Sequence, residues 1–175
     1  DNGVKKNIKL LAEAKNKNVN EINACVLKRP RHDKIVEELD EMNVNINYIT
    51  DGDIAGALSV IGDKPKNDIY YSTGGGPEGV IVAAALSCYG GQIQGRLVLN
   101  EDEKIRARKL GIKDFNRKYN IEDMVKGDVI FCATGVTSGD LAIGVKDLGN
   151  EFEVNSFALH KSQNIIKKIS NIYNK

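Results

Sequence analysis

The sequence lacks a surplus of either charge, a dense set of cysteines and a long apolar run, and each lack excludes a class of protein. Its 25 basic and 24 acidic side chains give a net charge of +1, whereas nucleic-acid and polybasic membrane modules need clustered positive charge. The three cysteines, Cys25, Cys88 and Cys132, are odd in number and far apart. This spacing excludes a disulfide framework and a compact zinc module, and it suits a reducing compartment. No stretch reaches the roughly 18 to 20 apolar residues of a membrane-spanning helix.

Apolar residues make up 41% of the 175 positions, enough for one substantial core. We find no secretory signal, because no charged segment precedes an apolar run near the start. We therefore expect a cytoplasmic protein, folded as a single α/β domain over residues 1–175, that binds neither nucleic acid nor membranes. The chain does not start with Met and opens inside a helical pattern, so we expect it to be a piece of a longer protein.

A strand–loop–helix pattern repeats along the first 110 residues, after a helix over about the first 15. We predict strands at 23–27, 44–49, 68–72 and 96–99, followed by helices at 33–42, 54–61, 80–88 and 101–110. The helix at 80–88 is apolar all round, which indicates a buried helix. Four such repeats predict an α/β fold with a largely parallel sheet and helices on both faces.

The pattern changes after residue 126. Residues 129–133 have the pattern of a strand, and a short helix is expected near 140–147. Residues 152–159 and 165–172 are two extended segments that can pair antiparallel. No repeat or low-complexity linker divides the chain.

The loop after the first strand reads Arg-Pro-Arg-His at 29–32. Two guanidinium groups in a proline-stiffened turn can bind phosphate oxygens through paired, permanently charged hydrogen bonds. The alternative is a solvated basic turn whose cations meet nearby acids.

The loop after the second strand reads Asp-Gly-Asp at 51–53. Its two carboxylates can accept hydrogen bonds from sugar hydroxyls or hold a divalent cation. The alternative is turn chemistry, with Asp53 capping the helix that follows.

The loop after the third strand reads Gly-Gly-Gly-Pro-Glu-Gly at 74–79. Its glycines leave backbone N–H groups bare beside a helix N-terminus, which favours an anion. Glu78 is either a ligand to a hard cation or a simple complement to the helix dipole. The spacing matches neither a Walker P-loop nor a dinucleotide fingerprint.

Other candidates carry weaker signals. Residues 134–140 offer hydroxyls and flexible turns, but equally an ordinary connection. His32 and His160 have no paired ligand spacing, so neither indicates a metal site, and the cysteines are more typical of core positions.

Taken in order, five motifs resemble those of the class II fructose-1,6-bisphosphatases. They are Arg-Pro-Arg-His at 29–32, Asp-Gly-Asp-Ile-Ala at 51–55, Gly-Gly-Gly-Pro-Glu-Gly-Val at 74–80, Gln-Gly-Arg-Leu at 94–97, and Gly-Asp-Val-Ile-Phe at 127–131 with Ala-Thr-Gly-Val-Thr at 133–137. The likeness covers essentially the whole chain, which looks like the carboxyl-terminal half of such an enzyme. Gly76 is a small departure, because the family usually has Ala there.

The resemblance implies the layered α/β/α/β/α fold of the metal-dependent sugar phosphatases, with one active site divided between the two halves. It implies hydrolysis of the C1 phosphate of fructose 1,6-bisphosphate to fructose 6-phosphate in gluconeogenesis, with Mn²⁺ or Mg²⁺. It implies that Glu78 is a metal ligand and that the other site residues bind the sugar bisphosphate. Those residues are Arg29, Pro30, Arg31, Asp51, Gly52, Asp53 and Gly75.

Most metal carboxylates of the family would lie in the amino-terminal half. We therefore expect no catalytic residue and no useful turnover in this chain alone, pairing with the amino-terminal half, and a dimeric or tetrameric homo-oligomer. The alternatives are a non-catalytic phosphate- or nucleotide-binding module, and a subunit that completes a separately encoded catalytic half. All of this depends on one expectation, that Arg31, Asp53 and Glu78 lie together in space.

Overall fold

The computed structural model describes residues 2–62, 64–139 and 141–175. Within these ranges lie six α-helices and seven β-strands. The helices are α1 (Gly3–Lys15), α2 (Asp33–Asp40), α3 (Asp53–Leu58), α4 (Gly76–Tyr89), α5 (Glu101–Lys109) and α6 (Ile121–Met124). The strands are β1 (Asn23–Leu27), β2 (Asn45–Ile49), β3 (Ile69–Tyr71), β4 (Ile130–Thr134), β5 (Lys146–Asp147), β6 (Glu151–His160) and β7 (Ile165–Asn174). None of these helices has the length and apolarity that crossing a membrane requires.

The first sheet is parallel and has the order β2-β1-β3. Strand β1 is central and almost wholly buried, as its apolar sequence predicts. Successive side chains alternate between the faces, so Ala24 and Val26 pack against Ile8 of α1 and Leu39 of α2. Helices α1 and α2 therefore cover one face of this sheet.

Helix α3 covers the other face, where it contacts β1 and β3, and α4 packs beside α3. Helix α3 approaches closely because Gly56 has no side chain, and a Cβ atom there would collide with the side chains of Ile49 and Tyr70. Helix α4 is buried on several sides, with Ala83 and Ala85 fully enclosed. Its all-round apolar sequence predicted this position.

The second sheet packs on the far side of α4 and is antiparallel, with β6 between β4 and β7. Phe131, Phe157 and Leu159 face α4 and share its core. The predicted antiparallel pairing of the two carboxyl-terminal segments is confirmed. The described residues thus form four layers, helix, sheet, helix and sheet, and the predicted α/β fold class is confirmed.

The predicted fourth parallel strand at 96–99 is wrong. The segment alternates as a strand does, with Val98 76% exposed between two partly buried leucines. However, the only pairing that the described residues make here is an isolated antiparallel bridge between Gly95 and Tyr119. An extended segment without a neighbouring strand has no ladder to join, so the parallel sheet keeps three strands.

The predicted helix near 140–147 is also wrong for the described residues 141–147, while Asp140 lies outside the described ranges. Residues 141–145 instead lie against residues 135–139, through backbone hydrogen bonds from the Gly139 N–H to the Ala142 carbonyl and from the Val145 N–H to the Val136 carbonyl. Gly144 packs directly against the backbone of this loop. The short strand β5 follows and pairs with β6.

A buried carboxylate ties the first helix to the parallel sheet. The Asp68 side chain is 5% exposed and accepts hydrogen bonds from the Lys15 ammonium at 2.7 Å, from Lys17 at 3.0 Å and from the Asn23 backbone N–H at 2.9 Å. Burial alone would raise the pKa of Asp68, but these hydrogen bonds outweigh burial and lower it. The ionised form therefore stabilises the fold.

We expect Asp68→Asn to lower the free energy of unfolding at pH 7 by about 2 kcal/mol, because it removes a hydrogen-bonded buried charge. Because the pKa of Asp68 is lower in the folded than in the unfolded state, Asp68 stabilises the fold fully at pH values above its unfolded pKa. This contribution is lost as the pH falls through its folded pKa. The difference from the parent chain should therefore shrink below about pH 4. Urea unfolding at pH 7 and pH 3 measures this difference in the free energy of unfolding. The control is Asp40→Asn, at an exposed position. An equal difference at both pH values would contradict the expectation.

Candidate functional site

The three loops with candidate site residues leave the same edge of the parallel sheet. Leu27 at the end of β1 pairs with Ile49 at the end of β2, and Val26 pairs with Tyr71 at the end of β3. The carboxyl ends of parallel strands coincide, so the loops that follow them are neighbours. Topology alone brings three chemically different loops to one place.

The first loop binds the third through one backbone residue, Thr73. The Arg31 Nε atom donates to the Thr73 carbonyl at 2.6 Å, and the Thr73 N–H donates to the His32 Nε2 atom at 2.8 Å. Arg31 is exposed, and its terminal guanidinium nitrogens have no partner among the residues that the structure describes. This side chain is thus held at one nitrogen and free at two.

The other members of the first loop are arranged differently. Pro30 begins a short 3₁₀ turn that runs to His32, so the predicted turn is confirmed. The Arg29 side chain is partly buried and its Nη1 atom donates to the Lys28 carbonyl at 2.9 Å. The two arginines therefore do not act as one fork in this conformation.

Asp53 joins the second loop to the third. Its Oδ1 atom accepts hydrogen bonds from the Tyr70 hydroxyl at 2.6 Å and the Ser72 hydroxyl at 2.8 Å, and its Oδ2 atom lies beside Gly74. Burial and the bond to Asp53 both raise the pKa of Tyr70, so this hydroxyl remains a donor. The alternative role for Asp53 as a helix cap is wrong, because α3 has Gly52 as its N-cap and no side-chain cap.

Asp51 and Gly52 lie on the far side of the second loop. Gly52 has φ of 85°, which favours glycine, and its N–H donates to the Asp51 carboxylate at 2.9 Å. Both residues border a cavity of about 660 Å³ that runs along the free edge of β2 to Thr134 and Ser138. Asp51 thus lines a different space from Asp53.

The third loop leads into α4 at Gly75, which is the N-cap with ordinary extended backbone angles. The Glu78 carboxylate folds back over Gly75, and a Cβ atom on Gly75 would collide with it. Glu78 is exposed and makes no hydrogen bond or ion pair within the described part of the chain. The missing side chain of Gly75 therefore decides where this free carboxylate sits.

These residues do not form a complete metal site by themselves. Over residues 2–62, 64–139 and 141–175 there is no group of three or more His, Cys, Asp or Glu side chains that could hold a metal ion. Mg²⁺ and related hard cations require about six oxygen ligands. Glu78 offers one free carboxylate, whereas Asp53 already binds two hydroxyls. The described residues therefore supply one candidate ligand, and the remaining ligands would have to come from elsewhere.

The structure brings together the three residues on which the sequence analysis depended. Arg31 and Asp53 both reach the segment 72–74, and Glu78 lies over Gly75 directly after it. It does not bring the Asp51 carboxylate or the Arg29 guanidinium to that segment. The resulting site is a short glycine-rich backbone with an arginine and two carboxylates around it.

Sequence analysis assigned no role to the His32 side chain, because His32 has no paired spacing that would indicate a metal site. Its ring is completely buried and bridges the first and third loops. Its position directly after the Arg-Pro-Arg turn was the only available signal. Nothing in the local pattern identifies a partner 41 residues away.

Comparison with known sequences gives a consistent family. The profile described as "Bacterial fructose-1,6-bisphosphatase, glpX-encoded" matches residues 1–173. A class 2 fructose-1,6-bisphosphatase of Haemophilus influenzae is 31% identical over 97% of this chain and 55% of its own length. Fructose-1,6-bisphosphatase 1 class 2 of Escherichia coli K12 is 30% identical over 95% of this chain and 54% of its own length.

A third relative carries a broader name. The "D-fructose 1,6-bisphosphatase class 2/sedoheptulose 1,7-bisphosphatase" of a Synechococcus strain is 30% identical over 97% of this chain and 53% of its own length. The chain thus spans about half the length of the curated relatives that it matches. On the match of the family profile to nearly every residue, the chain belongs to the bacterial, glpX-encoded fructose-1,6-bisphosphatase family.

Proposed function

We propose that this chain is the carboxyl-terminal half of a fructose-1,6-bisphosphatase, a phosphoric monoester hydrolase of gluconeogenesis. The whole enzyme would convert fructose 1,6-bisphosphate into fructose 6-phosphate by hydrolysing the C1 phosphate. Family membership over residues 1–173 and the half-length coverage of the relatives support this proposal. The observation that carries it is the convergence of Arg31, Asp53 and Glu78 on residues 72–75.

In this proposal the first loop binds the phosphate that is not hydrolysed. The Nε bond to Thr73 fixes the plane of the Arg31 guanidinium and leaves its terminal nitrogens for phosphate oxygens. Pro30 would shape the turn, and Arg29 would add positive charge. The glycine-rich segment adds backbone N–H groups beside the N-terminus of α4, a helix of 14 residues.

The second loop would recognise the sugar. The hydroxyls of Tyr70 and Ser72 hold the Asp53 carboxylate in place by donating to its Oδ1 atom. Its Oδ2 atom lies beside Gly74, where it could accept a hydrogen bond from a sugar hydroxyl. Asp51 and Gly52 would contact the substrate from the side of the large cavity. A longer sugar bisphosphate, such as the sedoheptulose bisphosphate in the name of the Synechococcus relative, would be a second substrate.

Glu78 would be one ligand of a divalent cation, Mn²⁺ or Mg²⁺, shared with the amino-terminal half. Such a cation supplies an activated water molecule and neutralises charge on the phosphoryl oxygens. What this chain contributes is an exposed carboxylate, held over Gly75 at the first turn of α4, that forms no ion pair with any of the described residues.

The amino-terminal half is the partner that this proposal requires. The face of the second sheet that points away from α4 exposes Ile130 (69%), Tyr173 (54%) and the Cys132 thiol. Strand β7 has ten residues, and the described residues pair only one of its edges. We propose that the amino-terminal half covers this face and edge, in a cytoplasmic enzyme that assembles as a dimer or tetramer.

Calorimetry and a phosphate-release assay on the 175-residue chain test whether it binds the substrate but cannot hydrolyse it alone. We expect fructose 1,6-bisphosphate and fructose 6-phosphate to bind, and ATP to bind more weakly, because the loops are built for a sugar phosphate. We also expect no phosphate release from fructose 1,6-bisphosphate with Mn²⁺, since the metal site is incomplete. Robust turnover by this chain, or preferential binding of ATP, would contradict the proposal.

Replacing Arg31 by Ala should weaken binding of fructose 1,6-bisphosphate about tenfold, because a charge-assisted phosphate contact is lost. In the enzyme with both halves, KM should rise far more than kcat falls. Lys34→Ala is the control, since it removes the same charge from an exposed position three residues along the chain. Calorimetry and steady-state kinetics measure the effect. Equal losses for the two variants would argue against a specific phosphate contact.

Replacing Gly75 by Ala should displace the Glu78 carboxylate without straining the backbone, because the collision involves only the end of a flexible side chain. In the enzyme with both halves, we expect the affinity for Mn²⁺ to fall about tenfold, as for loss of a metal ligand's support. Gly76→Ala is the matched control, since a Cβ atom there meets nothing within 4 Å. Titration followed by electron paramagnetic resonance measures bound Mn²⁺. Unchanged affinity in both variants would remove Glu78 from the metal site.

A further inference from the structure

His32 is a buried histidine whose two ring nitrogens both bind backbone groups. Its exposure is 0%, Nδ1 lies 2.6 Å from the Leu27 carbonyl oxygen, and Nε2 lies 2.8 Å from the Thr73 nitrogen. The Thr73 N–H can only donate and the Leu27 carbonyl can only accept. The hydrogen-bond network therefore assigns the proton to Nδ1 and the lone pair to Nε2, a single neutral tautomer.

We propose that His32 is a positioning residue for the phosphate-binding segment, an inference that rests on the proposed function. It fixes Thr73 to the end of β1, so that the glycines at 74–76 begin from a defined point. His32 itself does not touch the substrate. It acts through Thr73, whose N–H it binds, and through Arg31, its neighbour in the chain.

The need for such an anchor follows from the segment itself. Three consecutive glycines have more backbone freedom than any other residues, so ordering them for a ligand costs conformational entropy. Helix α4 fixes the segment at its end, because its body is buried between two sheets. At its start, Ser72 and Thr73 connect the end of the short strand β3 to the glycines. A hydrogen bond that holds Thr73 in place therefore restrains the glycine segment at both ends.

The same anchor orients Arg31. His32 binds the N–H of Thr73 while the adjacent Arg31 binds the carbonyl of the same residue at 2.6 Å. Both backbone groups of Thr73 are therefore satisfied by the first loop. Any shift of Thr73 relative to the first loop would disturb the guanidinium and the glycines together, which couples the two parts of the phosphate site.

Two amide variants separate the two hydrogen bonds of His32. In His32→Gln the side-chain oxygen reaches the position of Nε2 and can still accept from Thr73, whereas the bond to Leu27 is lost. In His32→Asn the amide nitrogen occupies the position of Nδ1 and can still donate to Leu27, whereas the bond to Thr73 is lost. Each variant loses one buried hydrogen bond, so a merely structural histidine predicts similar behaviour for both.

The variants are compared in the 175-residue chain by calorimetry with inorganic phosphate and fructose 1,6-bisphosphate, and by amide hydrogen exchange at Thr73. We expect His32→Gln to bind within about threefold of the parent chain and to keep the Thr73 amide protected. We expect His32→Asn to bind about tenfold more weakly and to exchange the Thr73 amide at least about tenfold faster. Thermal unfolding of both variants provides the stability control.

Equal affinities and equal Thr73 exchange in the two variants would overturn the proposal. If the parent chain binds neither ligand, the proposed function fails, and the exchange contrast still decides whether His32 anchors Thr73. If neither variant folds, nuclear magnetic resonance of the parent chain with ¹⁵N-labelled histidine decides instead. An unprotonated Nε2 with a scalar coupling to the Thr73 amide supports the anchor, and a protonated Nε2 overturns it.

Discussion

The candidate site depends on the parallel pairing of β1 with both of its neighbours. Because β2 and β3 run in the same direction as β1, their following loops leave one edge of the sheet. Residues more than 20 positions apart then meet within hydrogen-bond distance, as His32 does with Thr73. If either neighbour ran antiparallel, its loop would emerge at the opposite edge. The convergence of loops is thus a consequence of strand direction, and the side chains refine it.

Helix α4 converts this convergence into a rigid frame. It shares one core with Tyr70 of the first sheet and with Phe131 and Phe157 of the second, and its Ala83 and Ala85 are fully buried there. Its first turn lies outside that core, where Glu78 is exposed, and Val80 and Ile81 in the second turn are still each 43% exposed. Glu78 therefore combines a backbone position in a helix with an exposed carboxylate, an arrangement suited to a ligand that must meet groups from another part of the protein.

Much of the fold could be predicted, because each buried segment carries a local signal. The apolar run at β1, the turn chemistry after each strand and the all-round apolar α4 needed no knowledge of distant residues. The strand at 96–99 could not be excluded locally, since its alternation is correct and only the absence of a neighbouring strand decides. The candidate site likewise combines features that the local sequence predicts with features that only the three-dimensional structure reveals. Loop composition predicted Arg31, Asp53 and Glu78, but the partners of Asp53 and His32 depend on where Tyr70 and Thr73 lie in three dimensions.

The three cysteines differ in exposure, so the outer face of the second sheet can be probed by thiol labelling. Cys25 and Cys88 are buried, while Cys132 is exposed on the face opposite Phe131. A thiol-reactive dye should therefore label one position rapidly and the other two only on unfolding. The labelling rate at that one position then reports, without any enzymatic assay, whether a second polypeptide segment has docked on the outer surface of the sheet.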